Sequence, residues 1–172
     1  TDGGQAPNII PEHTALRTFV RAADRATLDR TVLPRVEDCF RGAALATGCE
    51  VSIAQNTPAY HSLVSNPTLV EIATRAYAAL GREVPDQVPP VGSTDMGNVS
   101  QLVPAIHPLI ELEPELVPHT REFAASAGGP AAEAPILDGA TMLAATVLTA
   151  IADRSVIGSA RTEFENWRSS QS

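Results

Sequence analysis

Fourteen prolines and eleven glycines are spread through 172 residues, and they set the scale of every element the chain can form. Proline ends or kinks a helix and leaves a strand without a ladder donor, so short elements with frequent breaks are expected. With 44% hydrophobic and 19% charged residues the chain can still bury a core, and its length allows one domain or two small ones. Twelve basic residues, all arginine, face twenty acidic ones for a formal net charge of -8. That balance excludes a nucleic-acid partner of the ordinary basic kind, and 4% aromatics leave little for stacking on bases.

Cys39 and Cys49 fit no CxxC or zinc-ribbon spacing, which makes a reduced cytoplasmic location the expectation. There is no unbroken run of about 18 apolar residues, so no spanning helix and no membrane partner are expected. The start, TDGGQAPNII, has neither the basic nor the apolar region of a signal peptide. It opens at Thr1 on a glycine-rich stretch, and the expectation is a chain cut from a longer polypeptide.

Hydrophobic periodicity places the elements. Residues 8–23 carry Ile9, Ile10, Leu16, Phe19 and Val20 around a break at 11–14, the pattern of two short strands. From Asp24 as N-cap, Leu28, Val32, Val36, Phe40 and Ala43 form a helical stripe that Gly48 stops, with Pro34 demanding a kink or a later start. Val51 and Ile53 alternate with polar neighbours, giving a third strand and the order strand, strand, helix, strand for the first sixty residues. Asn66, Pro67 and Gly81 bracket a helix with Leu69, Ala73, Ala76, Tyr77 and Leu80 on one face. A proline-rich connector at 82–92 leads to a short helix capped by Ser93 or Thr94, then a proline-interrupted strand at 105–114. A short helix at 119–128, a long apolar helix from about Leu137 to Ala152 and a final amphipathic helix with Trp167 complete the chain.

Spacing alone offers little chemistry. His13, His61, His107 and His119 form no HExxH pair, no phosphate-binding loop is present, and GxSxG is absent. The segments GSTDMGNVSQLVPAIHP and PHTREFAASAG, however, resemble the C-terminal part of the zinc aminoacylase and carboxypeptidase family of metallopeptidases. Residues 93–100 and 105–108 are most similar to its amidohydrolase branch, which includes p-aminobenzoyl-glutamate hydrolases and aminoacyl-lysine dipeptidases. Residues 4–11, GQAPNIIP, are similar to a segment of that family's inserted lid.

The resemblance implies an α+β arrangement. Residues 1–60 would be the later part of a ferredoxin-like lid that also dimerises. Residues 61–172 would be the helix-rich C-terminal segment of an α/β zinc-peptidase catalytic domain. In the family an Asn of the lid and an Arg thirteen positions later bind the substrate carboxylate, and Asn8 and Arg21 stand at that spacing. A guanidinium fork suits a carboxylate, and Arg17, on the same face by period two, is a second choice. His119 matches the last metal ligand, Thr94 and Asp95 match a loop lining the cleft, and His107 would lie behind the site or end a strand.

The intact enzyme would hold two zinc ions and cleave an amide bond next to a carboxylate-bearing residue, in an N-acyl amino acid, a dipeptide or p-aminobenzoyl-glutamate. A hydrolytic zinc site needs about three protein ligands per metal and a general base. The chain has no HxD motif and no paired Glu-Glu, so no catalytic residue is assigned to it, and a fragment inactive alone is expected. A non-catalytic oligomerisation or interaction module, or one subunit of a two-chain enzyme, are the rival readings. Helix faces left without their sheet favour a homo-oligomer, with the lid as its dimer contact.

Overall fold

The computed structural model describes residues 2–85 and 92–171, so the middle of the expected proline-rich connector lies outside the described residues. The chain divides into two compact units, Thr1–Ala59 and Tyr60–Ser172.

In the first unit, Asp2 and Ala15 exchange backbone hydrogen bonds of 2.7 and 2.9 Å in a lone antiparallel bridge. Gly4, at φ 98°, turns the backbone beneath Pro11, whose side chain would meet any Cβ at 3.1 Å. Over the rest of 8–23 no further strand bridge forms among the described residues, and Ile10 is 94% and Phe19 84% exposed. Residues 50–59 are likewise without a ladder. The three strands expected here therefore do not assemble into a sheet among the described residues. Alternation encodes an extended backbone with two unlike faces, whereas a ladder also needs a neighbour in register, and none lies alongside among the described residues.

The helical expectation meets a different outcome. The Asp24 side chain accepts from the Thr27 N–H at 2.8 Å and from its hydroxyl at 2.8 Å, opening α1 (Arg25–Thr27). A π-type turn over Leu28–Val32 follows and runs straight into α2 (Leu33–Thr47). The widened turn answers the problem set by Pro34, which has no N–H to donate and whose ring crowds the carbonyl one turn back. Leu28, Val32, Val36 and Phe40 are half-buried along one stripe, and Gly48, at φ 72°, ends the helix in the left-handed region.

In the second unit, α3 (Pro67–Ala79) has the caps its sequence announces. Asn66 accepts from the Leu69 N–H at 3.2 Å, Pro67 occupies the first turn, and Gly81 at φ 74° lies just beyond the end. Its inward face buries Ile72, Ala73 and Tyr77. After α4 (Met96–Ser100) an extended stretch makes one parallel bridge, Ser65 to Ala105, in place of the expected strand. Pro104, Pro108 and Pro114 deny it ladder donors. Then come α5 (Arg121–Ala127), a 3-10 turn at Pro130–Ala132, α6 (Glu133–Ala152) and α7 (Arg154–Ser169).

The three longer helices α3, α6 and α7 pack on one another. Ala73, Tyr77 and Met142 form the centre of the core, with Ala76, Leu80, Ile106 and Ile110 against it. Buried polar groups tie the helices together. The Tyr77 hydroxyl donates to the Leu109 carbonyl at 2.7 Å, the Asn66 amide to the Ala160 carbonyl at 3.0 Å, and Thr68 donates through N–H and hydroxyl to Glu163 at 3.0 and 2.8 Å. Arg82 pairs with Asp138 at 2.8 Å and reaches the Glu111 carbonyl.

One helix departs from the sequence expectation. α6 begins four residues earlier than Leu137, and with the preceding turn spans Pro130–Ala152, long and apolar enough by length and composition to cross a membrane. Counting consecutive apolar residues missed it, because Asp138, Gly139 and three threonines interrupt the run without lowering its mean hydropathy below 1.5. Its inner side is core, with Met142 only 2% exposed, while Ile136, Leu137, Leu143, Val147, Leu148 and Ile151 form an exposed apolar outer face.

Candidate functional site

The motif residues 93–100 are held by a tight interlock with the segment just before α3. Asn98 Oδ1 accepts the His61 N–H at 2.7 Å, Ser100 Oγ accepts the Val64 N–H at 3.0 Å, and the Gln101 amide donates to the Ser62 carbonyl at 2.8 Å. Gly97 sits against the His61 carbonyl so closely that a Cβ there would overlap its oxygen and lie 2.9 Å from its carbon. Close backbone approach is therefore what requires glycine at this position. His61 comes beside the motif from 36 residues upstream of Gly97, a neighbour that spacing along the chain gives no signal for.

This interlock carries the Thr94–Asp95 turn. Thr94 is half-buried and its hydroxyl oxygen accepts from the Met96 N–H at 3.3 Å, while Asp95 is exposed and precedes the helix without a side-chain cap. Capping by Thr94 thus reaches only the first N–H of α4. His107 alternates outward from Ile106 and Ile110, which face the core, and is exposed.

His119 is exposed immediately before Thr120, the N-cap of α5, and has φ 68°. Left-handed backbone is uncommon for any residue bearing a Cβ, although His is among those enriched there. Thr120 Oγ1 accepts from the Phe123 N–H at 3.1 Å and donates to the Val117 carbonyl at 2.8 Å.

Asn8, Arg17 and Arg21 belong to the first unit and are exposed on its turn and extended segments. The Arg21 guanidinium lies 5.7 Å from the centre of the Phe19 ring, a cation–π contact. Among the described residues no hydrogen bond or ion pair joins Asn8, Arg17 and Arg21 to one another.

Zinc is the metal the resemblance implies, and the described residues do not fit a complete site for it. Among them no three of His, Cys, Asp and Glu come together. A single exposed imidazole is one donor of the set a hydrolytic zinc requires. The groups whose pKa is shifted lie outside the expected site. Burial pushes the Tyr77 hydroxyl up, with Arg82 opposing, and bonds from Thr27 hold the Asp24 carboxyl below its ordinary range.

The second unit also holds a 340 Å³ cleft between the start of α3 and the end of α7, lined by Val64, Pro67, Pro104, Glu163, Phe164 and Trp167 among others. None of the expected site residues lines it, and Glu163 there already serves Thr68.

Comparison with characterised proteins points to one class, the dipeptidases. The chain is similar to the Xaa-Arg dipeptidase of Mus musculus, 38% identical over 168 residues that make up 95% of this chain and 39% of that protein. It is also similar to the Xaa-Arg dipeptidase of Homo sapiens, 34% identical over 95% of this chain and 38% of that protein. The chain therefore spans less than half the length of these relatives. No family model matches it. The likeness supports the peptidase side of the resemblance drawn from the motifs; it does not distinguish the amidohydrolase branch.

Proposed function

We propose that this chain is part of a hydrolase acting on dipeptides, cleaving the amide bond next to a residue that carries a free carboxylate. The observation that carries this reading is the 38% identity to a dipeptidase across 95% of the chain. The substrate we favour is a dipeptide ending in arginine, after the specificity that both relatives' names carry. An acidic protein with a formal charge of -8 would also attract such a cationic substrate. N-acyl amino acids and p-aminobenzoyl-glutamate are the competing substrates in the same assay.

In this reading Arg21 and Asn8 bind the substrate carboxylate by a charge-assisted fork and an amide hydrogen bond, with Arg17 beside them. Thr94 and Asp95 would border the active-site cleft of the intact enzyme, a different place from the cleft between α3 and α7, and are held by the Gly97 and Asn98 interlock. His119 offers one imidazole toward a zinc site whose remaining donors lie outside these residues. The extended segments of 8–23 and 50–59 are proposed as lid strands that pair only when the rest of the lid is present. The exposed free thiols of Cys39 and Cys49 support a reducing, cytoplasmic setting.

The test is hydrolysis of arginine-terminated dipeptides with and without zinc, first by the 172-residue chain and then by the longer polypeptide. No metal-dependent turnover is expected from the chain itself. Robust zinc-dependent turnover from it would overturn the assignment of the missing donors, and an active longer form that ignores dipeptides would overturn the function. A second reading, an oligomerising module without catalysis, is favoured by the exposed outer face of α6. Light scattering decides it in combination with that assay: a stable homo-oligomer with no activity in any form would replace the hydrolase reading.

A further inference from the structure

The loop leading into α5 is closed by two clips. The Ser126 hydroxyl donates to the Glu113 carboxylate, fastening the start of the loop to the far end of α5. The Thr120 hydroxyl donates to the Val117 carbonyl at 2.8 Å while accepting the Phe123 N–H at 3.1 Å. Glu115 at φ 64° stands between the clips and His119 at φ 68° inside the second; they are the two non-glycine residues in the left-handed region among those described. Such backbone persists only where its surroundings over-determine it. His119 is spanned by the second clip, with Val117 two residues before it and Thr120 directly after.

An N-cap needs only an acceptor for the helix N–H. Thr120 does more, because its hydroxyl proton is committed backward across His119. We infer that Thr120 is a positioning residue for His119. Its donated hydrogen bond to Val117 keeps the His119 backbone left-handed, and so fixes the direction in which the Cα–Cβ bond leaves the start of α5. The inference rests on the reading of His119 as a functional residue, but its first test does not.

Three substitutions separate the two halves of the hydroxyl's work. Thr120→Ser keeps both bonds, Thr120→Asp keeps the cap but has no proton to donate at neutral pH, and Thr120→Val loses both. In the isotopically labelled 172-residue chain, the intraresidue amide-to-Hα NOE of His119 reports positive φ, and the Phe123 amide reports the cap. The strong His119 NOE is expected in the wild type and in Thr120→Ser, and is expected to be lost in Thr120→Asp while the Phe123 amide stays helical. A Thr120→Asp chain that retains left-handed His119 overturns the inference.

In the active longer form, Thr120→Asp should lower kcat by about tenfold or more with KM within about twofold, and Thr120→Ser should restore it. If His119→Ala leaves turnover unchanged while the NOE is lost as expected, the functional reading of His119 fails and the positioning holds. Unchanged kcat in Thr120→Asp, when His119→Ala is inactive, overturns the inference.

Discussion

The contact between Gly97 and the His61 carbonyl makes a sharp prediction for Gly97→Ala. Glycine to alanine inside a helix ordinarily stabilises, by up to about 1 kcal/mol, through lower chain entropy. Here the added Cβ would overlap a backbone oxygen and lie 2.9 Å from the carbonyl carbon, and neither group can rotate away. Relief requires the 61–64 segment and α4 to separate by roughly an ångström. Hydrogen bonds of 2.7 Å from His61 to Asn98 and 3.0 Å from Val64 to Ser100 span that gap. Their weakening costs about 1 kcal/mol each, and overpacking adds about 1–3 kcal/mol. After the gain in propensity, a net loss of about 2–4 kcal/mol remains.

Gly139→Ala is the internal control. It is the same substitution in α6, but the nearest atoms to its Cβ are the Ile110 side-chain carbons at 3.8 Å, an ordinary contact. It should stabilise by about 0.5–1 kcal/mol. Both variants are measured by urea unfolding followed through Trp167, the single tryptophan, which lies on α7 in the same unit. Opposite signs are the expected result. A Gly97→Ala protein as stable as the wild type would mean that 61–64 does not lie against α4 as described, and the placement of the Thr94–Asp95 turn would fall with it.

Four other expectations are open to measurement. Truncating the core at Met142→Ala should lower stability by about 2–5 kcal/mol in the same unfolding assay, since the side chain is buried between helices. Tyr77→Phe should cost about 1–2 kcal/mol at neutral pH by orphaning the Leu109 carbonyl. Because burial raises the Tyr77 pKa, its stabilisation is complete below the ordinary value of 10.0 and is lost as pH rises through the higher folded value, so the wild type should converge on Tyr77→Phe in strongly alkaline buffer. Asp24 has the opposite sign: its lowered pKa means stabilisation present above 3.8 and lost as pH falls further, and Asp24→Ala should flatten the acid limb of helix content measured by circular dichroism. On the proposed reading, in a longer polypeptide that contains this chain and hydrolyses dipeptides, Arg21→Ala should raise KM for a dipeptide by about tenfold to a hundredfold with less effect on kcat; an unchanged KM would remove Arg21 from the proposed site.

The helices were legible wherever their ends are written locally. Asn66, Pro67 and Gly81 bracket α3, Asp24 and Gly48 bracket the first helical run, and Thr120 opens α5, all through bonds spanning four residues or fewer. The stripe of α3 was legible too, although Ile72 is buried and only the wider face around Ala73 and Tyr77 announces it. What could not be read is what lies between distant segments. Asn66 reaches Ala160, Thr68 reaches Glu163 and Asn98 reaches His61 across separations of 94, 95 and 37 residues. Gly97 looks like a helix-start glycine until the His61 carbonyl is seen against it.

Strands failed for the complementary reason. Alternation at Val51 and Ile53 fixes which side chains share a face, and the apolar run around Leu16 and Phe19 suggests a strand, but neither says who supplies the neighbouring ladder, and no neighbour stands there among the described residues. The same logic governs the candidate site. A carboxylate fork at Asn8 and Arg21 and an imidazole at His119 are motif assignments that each occupy a defined local setting: a turn, an extended segment, a clipped loop. A metal site would require His119 to converge with further donors, and convergence is a property of non-local packing, to which matched residues contribute positions one at a time. The Thr120 clip is informative for that reason, since it constrains His119 through bonds entirely within residues 117–123 and can be tested before any convergence is known.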